Sequence, residues 1–349
     1  MKVLAINPMR FQRTSNTRNH LSEMQDTFME QSITINESRF KMSNYIKAYE
    51  GYLAAQTNLD TQQEDRKILT RILSKLPNLS EIWIVLGANW IGTREISESF
   101  GHLHGREFET SCEHLLPMLL RAHGDSSQLK DFCIDAVSPE CLENLSKNNP
   151  WPRICDGSTE FSLNALSAAF SDSSKIAAYG LGTLTRLSIS PVDYDGDYSA
   201  SISRQYLRAI GNLLLSTPLL KELMLCGLTV KREDRIPMQD LATEMPPLLS
   251  LEELKLSSFE ARDEESVVNM MAKYSKTVRK IYLLMLPFAI KDENTWPNAA
   301  KRVRERVSFE HLNYFNLYSN DLEVDVDVAD YVLKKTNVNP VPANVSEEN

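Results

Sequence analysis

Four residues with metal-binding chemistry crowd into one stretch of this 349-residue chain, "HLHGREFETSCEH", which holds His102, His104, Cys112 and His114. Zinc takes three or four such nitrogen and sulfur ligands in a tetrahedral array. The spacing H-x-H-x7-C-x-H matches no common structural site, and Cys112 and His114 also open an amphipathic stretch, where a cap and a helix face account for them. The expectation is therefore no metal, with those four residues as the candidates if there is one. "DYDGDYS" places Asp193, Asp195 and Asp197 like the start of a calcium loop. Such a loop needs glycine at its sixth position and glutamate at its twelfth. Here Gly196 is fourth and Arg204 is twelfth, so an acidic turn before a helix is the better reading.

No nucleophile elbow, Walker loop or H-E-x-x-H stands in the chain, and "GLGTL" precedes an extended segment where a nucleotide loop would follow one. The chain reads as no enzyme, with no catalytic residue to nominate and no cofactor. Lys and Arg number 38 against 47 Asp and Glu, a formal net charge of −9. That balance argues against a nucleic-acid partner. The basic run "KRVRER" (301–306) is read as a solvated helix face before an import signal. No apolar run is long enough to span a bilayer, so no membrane association is expected. "MKVLAI" is too short for a secretory leader, and the five cysteines contain no C-x-x-C pair. Reduced thiols in cytoplasm or nucleus are the expectation.

With so little local chemistry, function must come from how elements are arranged. Apolar-x-x-apolar-x-apolar occurs as "LSEIWI" from Leu79, "LKDFCI" from Leu129, "LTRLSI" from Leu184 and "LKELML" from Leu220. It returns as "LEELKL" from Leu251, "VRKIYL" from Val278 and "LNYFNL" from Leu312, at intervals of 27 to 55 residues. Six of the seven follow a segment of helical periodicity. In "DRKILTRILSKLPN", Ile68, Leu69, Ile72, Leu73 and Leu76 share a face, and "SRQYLRAIGNLLLSTP" is similar. Pro77, Pro218 and Pro246–Pro247 end helices where extended chain begins. "NAAKRVRERVSF" before the seventh is a more charged helical candidate.

A unit of helix, turn, strand and loop cannot bury its apolar face alone, but stacked copies can. The fold class expected is α/β: an irregular solenoid of about seven repeats, a curved parallel sheet backed by helices. Side chains alternate along a strand, so Leu223 and Leu225 should face inward and Glu222, Met224 and Cys226 outward. Lined up, the outward row reads Trp83, Cys133, Ser188, Met224, Lys255, Tyr282, Asn316. Beside it runs Glu81, Asp131, Arg186, Glu222, Glu253, Lys280, Tyr314. Trp83, Arg186, Met224, Lys255, Tyr282 and Tyr314 are the candidate binding residues for a protein ligand on the concave sheet face, since Trp, Tyr, Met and Arg are enriched at interface centres. "DLEVDVDVADYVL" is expected as a capping strand with Leu322, Val324, Val326 and Val328 inward.

Leucine-x-x-leucine-x-leucine resembles the strand signature of leucine-rich repeats. With "FKMSNYIKAYEGYLAAQ", the following "LPNL" and the helix "CEHLLPMLL", the order resembles the repeat region of fungal F-box proteins over about residues 40–330. That resemblance implies a substrate-recognition subunit of a cullin-RING ubiquitin ligase, with the ligase adaptor as a partner. Residues 1–39 hold no recognisable F-box, so a repeat-only scaffold is the alternative, and a metal-binding protein built on the 102–114 loop a more distant one. The domain reading is a disordered segment over 1–38, a solenoid with a helical lead-in over 39–335 and a disordered polar tail over 336–349. On its own the chain is expected to be a monomer.

Overall fold

The computed structural model describes residues 3–6, 9–11, scattered positions between 43 and 58, and 64–85, 108–110, 112–124, 128–135, 163–190, 200–227, 236–284, 295–319 and 324–341. All seven motif segments are strands. They are β3 (Glu81–Val85), β5 (Asp131–Asp135), β6 (Arg186–Ser190), β7 (Glu222–Cys226), β8 (Glu253–Ser257), β9 (Lys280–Leu284) and β10 (Tyr314–Ser319). They lie side by side in chain order as one parallel, open sheet. β1 (Val3–Ile6) adds a parallel edge on β3, and β11 (Val324–Asp327) closes the other edge antiparallel to β10. A separate ribbon pairs β2 (Met9–Phe11) with β4 (Phe108–Thr110).

The register repeats at each step. Glu81, Asp131, Arg186, Glu222, Glu253, Lys280 and Tyr314 are successive partners across the sheet. One carbonyl at each strand entrance takes two N–H groups from the next strand. Ser80, Lys130, Thr185, Lys221, Glu252 and Arg279 play this part in turn. The apolar residues explain why this register wins. The first, fourth and sixth residues of all seven motifs are at most 6% exposed. A slip of one residue would turn those side chains to the opposite face. Each fully buried Leu or Ile contributes about 1.5–3 kcal/mol.

Between strands come α1 (Glu64–Ser74), α2 (Cys112–Gly124), α3 (Leu163–Phe170), α4 (Ser173–Ala177), α5 (Ala200–Leu215), α6 (Met238–Glu244), α7 (Glu264–Tyr274) and α8 (Thr295–Arg306). A last turn, α9 (Ala329–Val332), follows β11. Right-handed crossovers between parallel strands that advance in one direction put the connecting helices on one side of the sheet. The helices pack on one another in chain order there. Tyr206, Ile210 and Leu213 of α5 and Val267, Met270, Met271 and Tyr274 of α7 face the core. Asp263 caps α7 by accepting from the Ser266 N–H at 2.9 Å. Gly211 lets α5 approach α6, because a Cβ there would lie 2.7 Å from the Glu244 carbonyl oxygen.

Four expectations need correction. Residues 1–38 are not without order throughout, since Val3–Ile6 and Met9–Phe11 are strands. Residues 336–341 are held down: Arg304 donates to the Thr336 carbonyl and to Asn337 Oδ1, Asn339 donates to the Pro297 carbonyl, and Val341 is buried. The α1 face is only partly covered, with Leu73 buried but Ile68 and Ile72 largely exposed. Its main packing partner among the named helices is α2. The capping strand ends at Asp327, and the chain then turns into α9, with Asp327 accepting from the Ala329 N–H.

Candidate functional site: the helix-free face of the sheet

The face opposite the helices carries the two rows of outward side chains, now fixed in space by the register. Of the six predicted binding residues, Trp83, Met224, Lys255, Tyr282 and Tyr314 are half-buried there, and Arg186 is exposed. The face joins them only in part. Trp83 sits on β3, and its indole Nε1 is buried without a hydrogen-bond acceptor. Tyr282 and Tyr314 touch, with ring centroids 5.2 Å apart and planes tilted by 49°. Lys255 places its ammonium 5.0 Å from the centre of the Tyr282 ring, a cation–π contact.

Three outward positions are less open than their alternation implies. Cys226 is buried, at 3% exposure. The segment after β8 turns at Ser258, whose φ is 61°, and brings Phe259 against Gly227, so the strand ends beside Cys226 are covered. Asn316 is buried between Tyr314 and β11, donating to the Tyr314 hydroxyl and to Asp325. Asp131 is 7% exposed beneath its neighbours.

Asp131 is the one strongly shifted carboxylate of this face. Burial lifts it to about 6 against the pull of the Arg186 guanidinium, and Glu81 and Glu222 add to the rise. Arg186 bridges two strands, donating from Nη1 to Asp131 Oδ2 at 2.9 Å and from Nε to Glu222 Oε2 at 2.8 Å. Farther along, Lys255 and Lys280 both pair with Glu253. Burial pushes the Tyr282 hydroxyl up to about 12, aided by Glu253, Tyr314, Asp327 and Glu222.

Sequence reasoning found the rows but not these bridges. An arginine between two carboxylates on adjacent strands is visible only once the register is known, because Asp131, Arg186 and Glu222 are far apart in the chain. Asp325 and Asp327 form the polar side of the expected capping strand. Pairing Asn316 with Asp327 and Tyr318 with Asp325 puts both on this face.

The 102–114 candidates fall differently. His102 and His104 lie outside the described residues, while Cys112 and His114 stand in the first turn of α2. Asp193, Asp195 and Asp197 also lie outside them. Among the described residues no group of three or more His, Cys, Asp or Glu could hold a metal ion, and no helix is long and apolar enough to cross a membrane. The basic run 301–306 lies in α8, where Arg302 and Arg306 pair with Glu265 and Arg304 stacks on Tyr331. No family model and no curated protein sequence matches the chain.

Proposed function

We propose that this chain is a non-catalytic protein-interaction module, a leucine-rich-repeat-type solenoid of about seven repeats that docks a protein ligand on its helix-free, concave face. One observation carries the reading: seven sequence copies of one motif become seven neighbouring strands in a single register. That register sets Arg186, Lys255, Tyr282 and Tyr314 in rows across one surface. Solenoids use such rows for binding because the surface is long and rigid and each repeat contributes a side chain. Tyrosine, which buries area at low entropic cost and carries a polar tip, and arginine, whose planar fork pairs with carboxylates, suit the centre of such an interface.

By its resemblance to the repeat region of fungal F-box proteins, the module serves as a substrate-recognition subunit of a cullin-RING ubiquitin ligase in the cytoplasm or nucleus. Capture of the tagged chain from its native cells, followed by mass spectrometry, tests this. Recovery of the ligase adaptor and cullin is the expected result. Recovery of other proteins without either overturns the ligase role and leaves a repeat-only scaffold.

A further inference from the structure

The helix-free face has a sign. Among the residues whose side chains are described, its rows carry six carboxylates, on β3, β5, β7, β8 and β11, against three cations, Arg186, Lys255 and Lys280. All three cations are already committed: Arg186 to Asp131 and Glu222, Lys255 and Lys280 to Glu253. Of these six, the ones left without a cation lie at the two ends, Glu81 on β3 and Asp325 and Asp327 on β11. Asp327 spends one oxygen capping α9 and accepting from Phe315 N–H. Asp325 is exposed, accepts from Asn316 and stands across from Tyr318, itself 37% exposed, with the Tyr282–Tyr314 pair on β9 and β10. A carboxylate beside an open tyrosine ring is a receptor for a guanidinium, which can hydrogen-bond to the one and stack on the other.

Resting on the docking role proposed above, we infer that the ligand of this face is an extended, basic segment of a partner protein. One arginine lies against Tyr318 and Asp325, and a second cation reaches Glu81. The distance sets its length. From β3 to β11 is seven strand steps, roughly 34 Å at the usual spacing between strands, which about ten extended residues cover. An acidic or phosphorylated ligand would instead meet uncompensated carboxylates at both ends. The middle of the face, already neutralised by Arg186 and Lys255, tolerates uncharged residues.

The test is selection of a displayed library of random ten-residue peptides on the full-length chain. A parallel selection uses Glu81→Lys/Asp325→Lys, and a control uses Glu305→Lys/Glu310→Lys, which makes the same charge change at exposed positions away from the face. Glu81→Gln/Asp325→Asn serves if the charge reversal fails to fold. The expected result is enrichment of Arg and Lys toward both ends of the retained peptides. Affinity should fall by roughly tenfold or more on the face variants, the worth of two weakened charge contacts, and remain unchanged on the control. Retained peptides that are neutral or acidic, but are lost on Tyr282→Ala, overturn the basic-ligand inference while the docking role stands. Peptides indifferent to all the face variants, or no retained peptides, overturn both.

Discussion

Replacing Arg186 by alanine should cost more stability at pH 7.5 than at pH 5. Asp131, beneath it, already has its proton affinity raised by burial to about 6, against an ordinary 3.8. A carboxylate raised in the folded state holds its proton more tightly there than in the unfolded chain. The penalty it imposes is therefore absent below the ordinary value, grows as pH rises from 3.8 to about 6, and is full above the folded value. Arg186 is the group that holds the shift down, through its 2.9 Å contact with Asp131 and its charge. Without it the folded value climbs further and the penalty above pH 6 deepens. Breaking a fully buried pair costs about 3–5 kcal/mol, and an exposed pair at most about 1. Here the arginine side chain is 54% exposed and the aspartate 10%, so about 2 kcal/mol at pH 7.5 is the intermediate expectation. At pH 5, where Asp131 is mostly protonated, the loss should fall below about 1 kcal/mol. Urea denaturation at both pH values measures it. The double variant Arg186→Ala/Asp131→Asn should recover most of the loss at pH 7.5, as a coupled pair requires. Equal losses at the two pH values, or no recovery in the double variant, would refute the electrostatic account of this face.

Three further perturbations probe the fold. Leu223→Ala, at 1% exposure, should cost about 2–5 kcal/mol, whereas Glu222→Ala, losing only a partly exposed pair with Arg186, should cost about 1 kcal/mol or less. Similar denaturation midpoints for the two would mean that the strand phase is wrong. The Tyr206 hydroxyl is buried without a hydrogen-bond partner, so Tyr206→Phe should leave stability unchanged or raise it by about 1 kcal/mol, and a marked loss would reveal a missed partner. Arg304→Ala removes the stacking on Tyr331 and the hydrogen bonds to Tyr331, Thr336 and Asn337. Limited proteolysis should then cut within 334–341 far sooner than in the wild type, and an unchanged cleavage rate would place the anchor elsewhere.

The central architecture was legible because one pattern carried two periods. Leu220, Leu223 and Leu225 mark a strand by alternation, and Tyr206, Ile210 and Leu213 mark the preceding helix by spacing, so inward and outward residues followed from counting. The edge strand Val3–Ile6 was not legible, since four apolar residues do not announce a partner some 78 positions away at Glu81. Ala329–Val332 continues the acid–aliphatic alternation of β11 but is helical, its first N–H held by Asp327 Oδ1. Cys226 is outward by alternation but buried, and the packing of Phe259 against neighbouring Gly227 is a tertiary arrangement that local spacing cannot report. On the face, residue types could be read from the chain. The Asp131–Arg186–Glu222 bridge and the uncompensated charge at Glu81 and Asp325 emerge only from pairing across strands.

The measurement that bears most directly on the docking role compares the proteins captured from native cells by the wild-type chain and by Trp83→Ala/Tyr282→Ala, both confirmed as folded by their thermal transitions. Docking on the helix-free face predicts that specific partners held by the wild type are lost from the double variant. Retention of the same partners in the same amounts would contradict it and place the binding surface elsewhere on the molecule.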